Sequence, residues 1–188
     1  MVIKQKKYII YLFVIFIFHQ CGKKELYFNV NTSLLGELFS NDKVGISLRI
    51  PKGWKGLSKK DFSNIKDKLK EKNIEGITPL QFYINKEKGN ICTISTFEKE
   101  KKIKTVVKEY KERLKKYFPD SKITYTSFYK DDIKFYQFQV VNQKFINIKL
   151  FLIGKYKNII QIDYIVPVVH YKDELKSIES SIGSIKII

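Results

Sequence analysis

The chain has 188 residues and a formal net charge of +17, carried by 34 lysines and only two arginines, Arg49 and Arg113. A balance this basic raises nucleic acid or an anionic membrane surface as a partner, yet arginine, the residue that forks onto phosphates and guanines, is nearly missing. The chain also lacks alanine while Lys, Ile, Asn, Phe and Tyr abound, a composition of AT-rich coding, so nucleic acid is not an expected partner.

The first residues set the expected location. Lys4, Lys6 and Lys7 precede eleven apolar or aromatic residues from Tyr8 to Phe18, and Cys21 follows three residues later. A charged start, a short apolar stretch and a cleavage site make an export signal. Eleven residues are too few for a spanning helix, which needs about 20. This stretch resembles bacterial lipoprotein signals, although Phe18, His19 and Gln20 stand where that family has Leu, a small residue and Gly, Ala or Ser. The resemblance implies a signal peptide over 1–20 and a diacylated Cys21 as the mature N-terminus. The lipid bilayer is then a partner through the Cys21 acyl chains. The implied location is the extracytoplasmic side of a membrane, weakly the outer membrane if the cell has one, because Gly22 rather than aspartate follows the cysteine.

From Cys21 onward 168 residues remain, at a charge of +14 once the three signal lysines are gone, enough for one domain with a proper core. Residues 21–39 read as a lipid-anchored spacer and lead-in, and 40–188 as the domain. Val44, Ile46, Leu48 and Ile50 alternate, which predicts a half-buried strand over 44–50. Pro51-Lys52-Gly53 suits a type I turn. Trp54, the only tryptophan, is expected to anchor the core, with ligand stacking as the alternative.

Ser58 reads as the N-cap of a helix to about residue 72, with Phe62, Ile65 and Leu69 as its apolar stripe. Strands over 80–85 and 91–97 follow, joined by a tight turn. The charge run 98–102 leads into a helix in which Ile103, Val106, Val107, Tyr110, Leu114 and Tyr117 recur at helical spacing. That stripe is expected to face the core rather than a membrane. Four strands are predicted over 122–130, 132–141, 145–153 and 157–166, with apolar residues on both faces, so both faces must be covered. A last helix is expected over about 171–184.

This order predicts an α+β fold: a mostly antiparallel sheet of six to seven strands with helices on both faces. The run Gly45-Ile46-Ser47-Leu48-Arg49-Ile50-Pro51-Lys52-Gly53-Trp54, with the close from Tyr171 to Ile182, resembles the PsbP-like superfamily, which also holds the Mog-type Ran-release factors and many bacterial lipoproteins. The resemblance implies a PsbP-like α/β/α sandwich that acts by docking onto other proteins, and supplies no catalytic residues.

Candidates for chemistry are few. Past the signal only His170 remains as a histidine, at the expected strand-to-helix junction, and it would have to serve any triad or metal site. Cys92 sits in an apolar strand and is expected to be an inert core thiol. Asp131-Asp132 reads as a hairpin turn rather than an acid pair. Lys172-Asp173-Glu174-Leu175 spells a retention signal but is not at the terminus. No cofactor, metal or catalytic site is predicted. The expected function is a non-enzymatic lipoprotein that binds or assembles an envelope protein. The alternatives are a surface-displayed ligand binder or adhesin and, last, an enzyme using His170.

Overall fold

The computed structural model describes residues 24–71, 76–97 and 102–188. The expected signal peptide, His19, Gln20, Cys21 and most of the charge run 98–102 lie outside these residues. The elements are a 3-10 turn (Thr32–Leu34), β1 (Leu35–Asn41), β2 (Ile46–Pro51), β3 (Lys55–Gly56), α1 (Lys59–Glu71), β4 (Ile77–Asn85), β5 (Asn90–Phe97), α2 (Ile103–Tyr117), β6 (Lys122–Lys130), β7 (Ile133–Val141), β8 (Phe145–Ile153), β9 (Ile159–Pro167), α3 (Val168–Gly183) and β10 (Lys186–Ile187). Among the described residues no helix is long and apolar enough to cross a membrane.

Seven strands form an antiparallel sheet in the order β3-β4-β5-β9-β8-β7-β6. Its hairpins are closed by local chemistry. Asp131 (φ 47) and Asp132 (φ 62) both take positive φ between β6 and β7, the requirement of a two-residue type I′ turn, which Asp tolerates. Asn85 Oδ1 accepts the Glu87 and Lys88 backbone N–H groups at 3.1 and 3.2 Å. Asn142 Oδ1 accepts those of Lys144 and Phe145, each at 2.8 Å. These side chains copy backbone turn bonds and so set the strand registers.

Alternation along the strands sends two apolar sets to opposite faces. On one face Cys92, Ile94, Ile148, Leu150, Ile162 and Tyr164 pack with Ile178 and Ile182 of α3 and with Ile46, Leu48 and Ile50 of β2. On the other, Phe97, Phe138, Val140 and Phe151 pack with Val106, Val107 and Leu114 of α2. Phe62 of α1 meets Phe82 of β4 at 5.7 Å between ring centres. The expected helix 58–72 is thus Lys59–Glu71, with the Ser58 hydroxyl accepting the Asp61 N–H at 3.2 Å. The α+β architecture with helices on both faces of an antiparallel sheet is as the periodicity predicts.

Four details differ from expectation. The strand predicted over 44–50 runs Ile46–Pro51 and belongs to a separate three-stranded sheet, β1-β2-β10. One partner is the preceding strand, β1, joined to β2 through residues 42–45; the other, β10, comes from the far end of the chain, which no local pattern reports. The turn at Pro51 is type II rather than type I: Trp54 N–H donates to Pro51 O at 3.2 Å and Gly53 sits at φ 84, so glycine fills the third position, where φ must be positive. The last helix begins at Val168, with Pro167 (φ −55) as its N-cap. His170 therefore lies in its first turn rather than at a junction. Finally, residues of the lead-in are built into the fold from Lys24 onward. Tyr129 N–H donates to Lys24 O and Leu26 N–H to Tyr129 O, each at 2.8 Å, so Glu25 bridges Tyr129 in parallel on the outer edge of β6. Phe28 then reaches Phe128 at 5.9 Å, and the chain presses so closely on α3 that a Cβ on Gly183 would lie 2.6 Å from Val30 and 2.7 Å from Phe28.

Candidate functional site

Most of the residues singled out from sequence prove structural. Trp54 is 1% exposed, which rules out ligand stacking. Its indole N–H donates to Glu174 Oε2 at 3.2 Å and its ring meets Tyr164 edge-on at 6.2 Å. Glu174 in turn holds Lys88 Nζ at 2.6 Å and Ser177 Oγ at 3.2 Å. The hydrogen bond to Glu174 raises the Lys88 pKa above its ordinary value. A carboxylate inside the tetrapeptide 172–175 thus ties α3 to Trp54 and to the β4–β5 turn.

Cys92 is fully buried, and burial, with Asp163 nearby, pushes its thiol well up, away from the reactive thiolate. His170 is half-buried, and among the described residues no group of three or more His, Cys, Asp or Glu side chains could hold a metal. Asp131 and Asp132 are exposed turn residues. Asp131 pairs with Lys130, whose Nζ also donates to Ile185 O at 3.2 Å. Ile103, Val106, Val107, Tyr110 and Leu114 of α2 face the core, as expected, whereas Tyr117, the last residue of the expected stripe, is 69% exposed.

Sequence reading passed over a buried ion pair on the α2 face of the sheet. Lys149 of β8 and Asp163 of β9 stand opposite each other. Their charged atoms meet at 2.6 Å, with side chains only 8% and 9% exposed. Gln161 Nε2 donates to Asp163 Oδ2 at 2.9 Å and to Tyr110 Oη at 3.3 Å. Lys149 Nζ lies 5.6 Å from the Tyr110 ring centre. Burial alone would depress the Lys149 pKa; attraction to Asp163 and Tyr110 more than reverses this and raises it. Burial likewise raises the Tyr110 pKa. Asp163 Oδ1, Gln161 Oε1 and Asn147 Oδ1 are buried without a partner. The cluster holds two opposite charges that cancel, with no nucleophile beside a base. It is suited to locking strand order and helix position rather than to turning over a substrate.

The exposed surface divides between the two edges of the large sheet. At the β3–β4 edge a cleft of about 660 Å³ is lined by Lys55, Leu57, Ser58, Asp61, Ile84 and Asn85, among others. Near the start of α3, Val168 and Val169 are 40% and 81% exposed. At the opposite edge, lysines sit against tyrosines. Lys134 Nζ lies 5.4 Å from the Tyr129 ring centre and 5.2 Å from that of Tyr136, and Lys111 Nζ lies 5.8 Å from that of Tyr125.

No protein-family profile matches the chain, and no curated protein sequence does. Among solved structures, the chain is similar to the cyanobacterial PsbP (CyanoP) of Synechocystis at TM-score 0.53 and 11% identity, over 87% of this chain and 98% of that one. It is similar to the Saccharomyces cerevisiae Ran-binding protein Mog1p at TM-score 0.48 and 8% identity, over 81% of this chain and 96% of that one. Identities this low speak to the fold alone. The fold of this chain is PsbP-like.

Proposed function

We propose that this protein is a lipid-anchored extracytoplasmic protein whose PsbP-like domain works without chemistry of its own, binding a protein of the cell envelope. The anchored reading rests on the run from Lys4 to Cys21, and the clamp at Lys24 says where such an anchor would hold the domain. Lys24, three residues after Cys21, is bonded to β6, so acyl chains on Cys21 would hold that strand within about 11 Å of their attachment point, at roughly 3.6 Å per residue. Two acyl chains make such an anchor lasting. The binding reading is supported by the cleft at the β3–β4 edge and by the exposed valines of α3, which lie away from the clamped β6 edge.

Metabolic labelling with a tagged fatty acid tests the anchor. The wild-type chain takes up label and Cys21→Ser does not; equal labelling, or none in either, overturns it. Photo-crosslinking from position 169 in intact envelopes tests docking. One dominant protein adduct is expected, and a smear of background adducts counts against it.

A further inference from the structure

The clamp at Lys24 and the placement of α2 together orient the domain. Lys104, Lys108, Lys111 and Lys115 are all exposed and fall within about 60° of one another around the helix, at 100° per residue. Their stripe is adjacent to the buried one of Val107 and Leu114. It lies on the flank of α2 that faces β6, because Lys111 reaches the Tyr125 ring. Tyr125 is 44% exposed and shares its sheet face with Tyr129, two strand positions on either side of Ser127. Tyr129 is the residue to which Lys24 and Leu26 are bonded. The lysine row, the tyrosines and the tether therefore share one edge of the molecule.

We propose that this β6–α2 flank is the membrane-facing surface and binds the headgroups of anionic phospholipids. Three observations select a lipid surface as its occupant. The chain between Cys21 and Lys24 is too short to let the β6 edge stray far from the bilayer. Four lysines in a row complement anionic headgroups and present point charges that need no fixed geometry. Tyrosines with an apolar body and a polar tip suit the interface between headgroup and acyl chain. Among the described residues of α2, the acids are Glu112, on Lys115 at 3.4 Å, and Glu109. The proposal rests on the lipid-anchor reading for its location, but the surface itself is testable without acylation.

The test measures partition of the purified full chain onto vesicles of phosphatidylcholine with and without phosphatidylglycerol. The apolar stretch from Tyr8 to Phe18 contributes equally to both, and Lys4, Lys6 and Lys7 are the same in every variant, so the difference between variants reports the substituted lysines. A Lys104, Lys108, Lys111, Lys115→Gln variant is compared with a Lys52, Lys59, Lys60, Lys86→Gln control. The control removes the same charge from exposed positions around the opposite, β3–β4 edge, about 29 Å away at roughly 4.8 Å per strand. A lysine near an anionic surface contributes about fivefold. The α2 variant should therefore lose at least about tenfold of the phosphatidylglycerol preference, and the control little. Equal losses in both variants, no preference in the wild type, or tighter binding to an oligonucleotide than to the anionic vesicles would overturn the proposal. Loss of fatty-acid labelling at Cys21 with this preference intact overturns only the anchor; the reverse result overturns only the surface.

Discussion

Replacing Asp163 by Asn removes one charge from the buried pair while keeping the side-chain shape. With the charged atoms at 2.6 Å, the direct attraction is about 6 kcal/mol at an effective dielectric of about 20. Most of that offsets the cost of stripping water from both ions. The variant loses the attraction but not the desolvation of Lys149, so a cost of about 3–5 kcal/mol is expected at neutral pH. The pH dependence gives a second reading. In the wild type the folded Lys149 pKa lies above the ordinary lysine value. Its stabilising contribution is thus complete below about pH 10.4 and is lost only as pH rises through the higher folded value. Without Asp163, burial dominates and the folded pKa falls below the unfolded one. The variant then gains stability as pH rises through that depressed value, because the folded state prefers the neutral amine. Urea denaturation of both chains at about pH 7 and about pH 9.5 should show the gap narrowing at the higher pH. A cost under about 1 kcal/mol at neutral pH, or a gap that does not narrow, would refute the reasoning.

Trp54→Ala should cost about 3–5 kcal/mol through the cavity it leaves. Trp54→Phe should cost less, about 1–2 kcal/mol from the lost indole bond, since Glu174 keeps Lys88 and Ser177; equal costs in urea titrations would remove the cavity from the account, and a Phe variant as stable as the wild type would remove the hydrogen bond. In a Cys21→Ser chain, Cys92 should resist a thiol reagent until denaturant is added, and rapid native-state reaction would contradict its burial. Asp132→Gly should relieve about 1 kcal/mol of positive-φ strain against about 0.4–1 kcal/mol for the greater freedom of the unfolded chain, so a net change within about 0.5 kcal/mol is expected; a loss above about 1 kcal/mol in a urea titration would show that the Asp132 side chain contributes more than the turn geometry requires.

Much of the fold is legible in the chain because its signals are local. The alternation of Ile146, Ile148, Leu150 and Leu152 against Phe145 and Phe151 gives both a strand and the need to cover two faces. The spacing of Val106, Val107, Tyr110 and Leu114 gives a helix and its buried stripe. Asp131-Asp132 gives a hairpin turn. Even Trp54 is readable as a core anchor from its place after Pro51-Lys52-Gly53.

What stayed hidden depends on residues far apart in sequence. The small sheet brings Lys186 and Ile187 from the far end of the chain onto β2; two-residue β10 has no periodicity to reveal it. Lys149 and Asp163 look like ordinary surface positions in their strands until the register of β8 against β9 sets them face to face under α2. Lys104, Lys108, Lys111 and Lys115 announce one flank of a helix, but not which way that flank points. Local periodicity decides which residues are buried and in what kind of element. Only the closure of the sheet and the clamp of Lys24 on β6 decide which charges meet and which edge of the domain lies beside Cys21, because pairing between distant strands is set by the packing of the whole.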